Sequence, residues 1–197
     1  MVFRRFLGIP SPDEPSREAA SDTGGAAPKG AIAPIGETAT VRRIVARLEA
    51  LPHEQARYLA GFAYVMSRAA QADLDISAEE TAVMERSVVE LGGIDEAQAV
   101  LVVEMAKLQA RMQGATEDFL VTREFARIAT EEQRLAVLRC CFAVSAADNS
   151  ISATEASVVN EIARELDLTR EQLNEVRSDF VEQLSAIQAM RRLNQPG

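Results

Sequence analysis

Tryptophan is absent from this 197-residue chain, tyrosine occurs twice and histidine once. Strand-rich cores draw heavily on large aromatic residues, so their scarcity favours helices over sheets. The one histidine, His53, follows Pro52 at a helix start and is read as solvent-exposed, which leaves a His-based catalytic diad nothing to build on. There is no Gly-rich phosphate loop, no Cys-x-x-Cys pair and no nucleophile elbow. The sequence gives enzyme chemistry no support, and the expectation is a non-enzymatic protein. Cysteine is limited to Cys140 and Cys141, adjacent in an apolar helical run with Leu135, Val137, Leu138 and Phe142. Successive side chains on a helix point about 100 degrees apart, so these two thiols are expected to be small core residues rather than a disulfide. No apolar run is long enough to cross a bilayer, and the N-terminus lacks the features of a secretory signal. A cytoplasmic location is expected.

Basic excess is missing too. The net charge is -9, and residues 1–40 hold four Lys and Arg against five Asp and Glu, which leaves -8 for residues 41–197. Such a surface repels phosphate backbones, so no nucleic-acid partner is expected, and it attracts cations or basic protein segments. What is present is 47% hydrophobic residues and 26% charged, enough for one soluble domain with a sizeable core.

Five of the seven prolines, Pro10, Pro12, Pro15, Pro28 and Pro34, fall between residues 8 and 37 with several Gly, Ser and Ala. Residues 1–37 therefore read as a disordered N-terminal tail and linker, and 38–193 as the folded domain. At the head of the tail, Val2-Phe3-Arg4-Arg5-Phe6-Leu7 is apolar and basic together, a composition suited to weak membrane contact or to a partner groove. Other basic pairs, Arg42-Arg43 and Arg191-Arg192, read as solvated surface.

The domain reads as all-α, about eight helices in one bundle-like unit. Thr40 is expected to cap the first helix, and Pro52 to start the second. Ser77 is expected to open a third helix that ends at Gly92-Gly93, and a fourth is expected from Asp95 to Gln113. Thr116 is expected to open a fifth, Thr130 with Gln133 a sixth, Ser152 with Glu155 a seventh, and Thr169 with Gln172 an eighth. In the last, Leu173, Val176, Phe180, Leu184, Ile187 and Met190 repeat at steps of three and four residues, as on one continuous core-facing helix.

A thirteen-residue stretch occurs twice, 75 positions apart, at 72–84 and 147–159, with seven positions identical. Among those are Asp73 and Asp148, Ile76 and Ile151, Ser77 and Ser152, and Glu80 and Glu155. The repeat predicts a duplicated helix-loop-helix unit, helices two and three matched by six and seven about a pseudo-two-fold. In each copy an Asp closes one helix and a Glu stands in the first turn of the next. Carboxylates so placed can share a hard divalent cation of the Ca²⁺ or Mg²⁺ type, with Asp73, Glu80, Asp148 and Glu155 as metal ligands. The same Ser and Glu also fit capping boxes that satisfy the helix's own amides, and an Asp can serve a turn, so both readings stand. An EF-hand is excluded: its sixth and twelfth positions would be Ala78 and Met84 in one copy, Ala153 and Val159 in the other.

The two loops, Ala70 to Glu80 and Ala146 to Glu155, resemble the pattern Ala-x-x-Asp-Gly-x-Ile-x-x-x-Glu of the TerB-like family, the superfamily of tellurite-resistance TerB and the DjlA N-terminal domain. The resemblance covers about residues 40–190. It implies an all-helical domain with a metal- or stress-linked role and divalent-cation binding at Asp73, Glu80, Asp148 and Glu155. Leu74 and Asn149 stand where that pattern commonly has Gly. The alternative is a protein-interaction module, membrane- or chaperone-associated, whose acidic loops are only helix caps.

Overall fold

The computed structural model describes residues 39–70, 78–111 and 118–193, with side chains throughout except at 78–80, 111 and 118. The expected tail, with residues 2–7, lies outside the described residues, as do Thr116 and the expected cap Ser77. Among the described residues there are nine α-helices and no strand: α1 Ala39–Glu49, α2 His53–Ala69, α3 Ala78–Glu90, α4 Glu96–Arg111, α5 Asp118–Ile128, α6 Glu131–Ser145, α7 Ala153–Glu165, α8 Arg170–Ser178 and α9 Ser185–Leu193. No described helix is long and apolar enough to cross a membrane.

Helix α2 is the centre. It starts after Pro52, which lacks an N–H that the first turn would leave unbonded anyway. Every residue from Leu59 to Ala69 is buried, the signature of a helix surrounded by others rather than lying on a surface. Its packing partners are α1, α4, α5, α6 and α7. Ala56, Ala60, Gly61 and Ala63 keep its flanks slim, while Phe62 is fully buried and meets Phe125 of α5 edge-on, with ring centroids 6.4 Å apart. Tyr58 stacks on Phe125 at 5.7 Å and completes the cluster.

Three helix starts fold as local sequence dictates. Thr130 and Gln133, Ser152 and Glu155, and Thr169 and Gln172 each close a reciprocal capping box, so two otherwise orphaned amides are bonded at each end. Helix α3 ends at Gly92-Gly93 as its sequence predicts. Gly93 takes a left-handed φ of 62°, and a Cβ on Gly92 would lie 2.4 Å from the Val88 carbonyl oxygen. Helix α1 begins at Ala39, so Thr40 lies inside it rather than capping it.

The expected eighth helix is in fact three pieces. Helix α8 stops at Ser178, a 3-10 turn covers Val181–Gln183, and α9 begins at Ser185. Leu184 is extended, with ψ 118°, because its neighbours bond elsewhere. The Gln183 carbonyl accepts from Ile151 N–H at 2.6 Å, and Ser185 N–H donates to the Ile151 carbonyl at 3.0 Å. A parallel bridge to the α6–α7 loop has replaced one turn of helix. The apolar periodicity survives the break because Phe180 still stacks on Phe142 of α6, centroids 5.4 Å apart.

Candidate functional site

Asp148 follows the end of α6, and its Oδ1 accepts a hydrogen bond from the Ser150 N–H at 2.9 Å, which tightens the loop as an Asx turn. Asn149 has a left-handed φ of 65°. That is the conformation for which Gly is the default, and Asn is among the few other residues that enter it readily. Asn149 thus does here what glycine does in the pattern the loop resembles. The chain then dives to Ile151, 1% exposed, which is held by the bridge to Leu184.

The Ser152 hydroxyl accepts from Glu155 N–H at 3.2 Å, and Glu155 Oε2 accepts from Ser152 N–H at 2.8 Å. The loop's Asn149 carbonyl accepts from Gln188 Nε2 of α9 at 2.9 Å. Asp148, Ser152 and Glu155 thus each give a polar atom to holding the loop. Asp148 Oδ2 and Glu155 Oε1 make no hydrogen bond among the described residues, but a Ca²⁺ ion takes six to eight oxygens. Among the described residues no three His, Cys, Asp or Glu side chains are grouped so as to hold a metal. Of the four expected ligands, the described side chains place Asp148 and Glu155 at this loop. Asp73 lies outside the described residues, and Glu80 stands in the first turn of α3 with its side chain outside them.

Arg68 and the two cysteines are structural. Arg68, near the end of α2, pairs through both terminal nitrogens with Glu165 of α7 and donates to Thr122 of α5 at 2.8 Å. This fork locks three helices together. Both cysteines are buried, Cys140 with its thiol 3.4 Å from the Ser87 carbonyl and Cys141 3.9 Å from that of Val65. Burial pushes the Cys140 thiol well above its ordinary range, helped by Cys141 and opposed by Arg139. Burial likewise raises Cys141 to about 12, against the pull of Arg68. Burial of both thiols disfavours the thiolate, the reactive form. His53 is exposed at the first residue of α2.

A cleft of about 760 Å³ opens between the start of α2 and the α3–α4 turn, with Tyr58 in its wall. Burial, then the neighbouring Cys140, raises the Tyr58 hydroxyl to about 12. Three polar groups of this cleft serve the fold: Arg57 pairs with Glu124 at 3.0 Å, Asp95 accepts from Gln98 N–H, and Gln133 belongs to a capping box.

A second recess, about 470 Å³, runs between α3 and α4 and differs in kind. Ala82, Val89, Ala99 and Val100 form its apolar lining, with Ala99 fully buried and Val89 37% exposed. Glu85, Glu90 and Glu96 stand around it, with Arg86 the one cation among the lining residues. None of these three glutamates makes an ion pair or hydrogen bond among the described residues. Sequence reasoning passed over them. It followed the stripe Val83, Met84, Val88 and Leu91, and missed that Ala82, Glu85, Arg86 and Val89 share another face at steps of three and four.

A family model described as tellurite resistance protein TerB matches residues 59–178, more than half of the chain. No curated protein and no solved structure matches the chain.

Proposed function

The chain belongs to the TerB family, and from that premise we propose that it is a non-enzymatic adaptor domain of a tellurite or metal-stress response. It works by binding a basic, apolar protein segment in the α3–α4 groove. One observation carries this reading: an apolar recess ringed by three glutamates that have no partner among the described residues. Other described acids are drawn into the domain's own structure, Glu104 by Arg43, Glu124 by Arg57 and Glu165 by Arg68. Unpaired acids beside exposed apolar surface attract a cationic partner at long range and leave it an apolar floor to bury.

The test is a tellurite challenge of cells carrying Glu85→Lys with Glu90→Lys, set beside cells carrying Asp148→Asn. The groove variant is expected to lose resistance with its melting temperature unchanged, and the loop variant to keep it. Full resistance in the groove variant sinks the reading.

A second reading, a divalent cation at the repeated loops, is favoured by the uncommitted oxygens of Asp148 and Glu155 together with the repetition of both residues at Asp73 and Glu80. Calorimetric titration with Ca²⁺ and Mg²⁺ separates the two. The cation reading requires heat in the wild type that an Asp73→Asn, Asp148→Asn double variant abolishes.

A further inference from the structure

The α3–α4 groove is matched in composition by a segment of the same chain. Residues 2–7, Val-Phe-Arg-Arg-Phe-Leu, carry four apolar side chains and two adjacent arginines. The groove offers the complement, an apolar lining from Ala82, Val89, Ala99 and Val100 with glutamates at its rim. We propose that residues 2–7 dock in the α3–α4 groove of their own chain, with Phe3 and Phe6 on the apolar lining and Arg4 and Arg5 against Glu85, Glu90 and Glu96. The proposal rests on the groove reading above and names its resident occupant, which any partner must displace.

Three features of the chain favour this occupant. The first is charge: the lining holds three carboxylates against the single guanidinium of Arg86, and the segment brings two guanidinium groups. Guanidinium binds carboxylate in a bidentate fork and is weakly hydrated, so it suits a half-apolar rim better than an ammonium does. The second is position. Helix α1, into which the N-terminal segment leads, lies against α4, where Arg43 bonds Glu104 at 3.2 Å. Helix α4 is also one wall of the groove, through Glu96, Ala99 and Val100. The third is reach. Residues 8–38 connect segment and domain, and a chain of that length spans up to about 100 Å when extended, so the groove is within range. Tethering raises the local concentration of the segment to about the millimolar range, and six residues too few to bind strongly alone can fill the groove.

The experiment uses the full chain. Ser11→Cys carries a nitroxide spin label, which the buried Cys140 and Cys141 do not compete for, and amide resonances are read by NMR. The expected result is selective broadening at Val89, Ala99 and Val100, at least several-fold above that at exposed positions of α8. Arg4→Glu with Arg5→Glu is expected to abolish it, as is Glu85→Lys with Glu90→Lys, and the four substitutions combined are expected to restore it. Uniform or absent broadening, or no recovery in the combined variant, overturns the proposal. Broadening only when labelled and isotope-enriched copies are mixed assigns the docking to a second copy and overturns it too. If the label shows nothing but an added peptide of residues 1–10 shifts the Val89 and Val100 amides, the intramolecular occupant is wrong and the groove reading stands. If neither acts, both fall.

Discussion

The repeated acids of the α6–α7 loop and the glutamates flanking the α3–α4 turn are handled in opposite ways. The α6–α7 loop carries the repeated Asp and Glu, and the backbone takes both: Asp148 closes an Asx turn and Glu155 a capping box. Its centre, Ile151, is buried and pinned by the segment before α9. The α3–α4 turn carries Gly92-Gly93 and Asp95, which bonds the first turn of α4 through Gln98 N–H. Its flanking Glu85, Glu90 and Glu96 have no partner among the described residues and border an apolar recess. A carboxylate at a conspicuous spacing is often held by the chain that spaced it, and one free to act on a partner leaves a weaker trace in sequence. Negative charge near a helix start is stabilising in its own right, so Ser-x-x-Glu is selected for folding whether or not anything binds.

The contrast can be broken most strongly at Ile151. Ile151→Ala removes a fully buried side chain under the Leu184 bridge, and is expected to cost about 2–4 kcal/mol in urea unfolding. A loss below about 1 kcal/mol would mean that the C-terminal segment does not roof the loop. Gly92→Ala is next. Its Cβ would press on the Val88 carbonyl and on the Phe62 ring, with an expected cost of about 1–3 kcal/mol by thermal melting. An unchanged melt would show that the α3–α4 turn can shift freely, and the groove with it.

Ser152→Ala breaks one arm of the capping box and is expected to cost about 1 kcal/mol. If the same substitution also changed a measured cation affinity, the loop would be more than a cap. Asn149→Gly should leave stability within about 0.5 kcal/mol, because it keeps the left-handed backbone while removing a side chain that is exposed. A clear loss on chemical denaturation would show that the Asn side chain, and not only its φ, matters. Glu85→Gln with Glu90→Gln is expected to change stability least of all, within about 0.5 kcal/mol, while docking in the groove falls several-fold in the spin-label measurement. Destabilisation there would move these glutamates into the same class as Glu155.

Much of the architecture could be read from the residues. Local chemistry named the three capping boxes by Thr130, Ser152 and Thr169, and it placed the Gly92-Gly93 stop, because a cap is a bond between residues three apart that needs no tertiary partner. The apolar setting of Cys140 and Cys141 announced their burial. The all-helical class and the family followed from composition and from one repeated loop.

Other features were decided at a distance. The stripe from Leu173 to Met190 is a faithful helical period, yet the helix breaks at Leu184 because Ile151, 33 residues earlier in the chain, takes the backbone bonds of Gln183 and Ser185. The fork of Arg68 on Glu165 and Thr122 joins residues 97 and 54 positions apart, which no local pattern announces. The groove exists only because α3 and α4 pack with Ala82, Val89, Ala99 and Val100 facing a common recess. Sequence determined three capped helix starts, the Gly92-Gly93 stop and what class of protein this is, through interactions spanning a turn or less. Only tertiary structure decided which carboxylates pair with distant arginines, since that depends on what each one finds across the bundle.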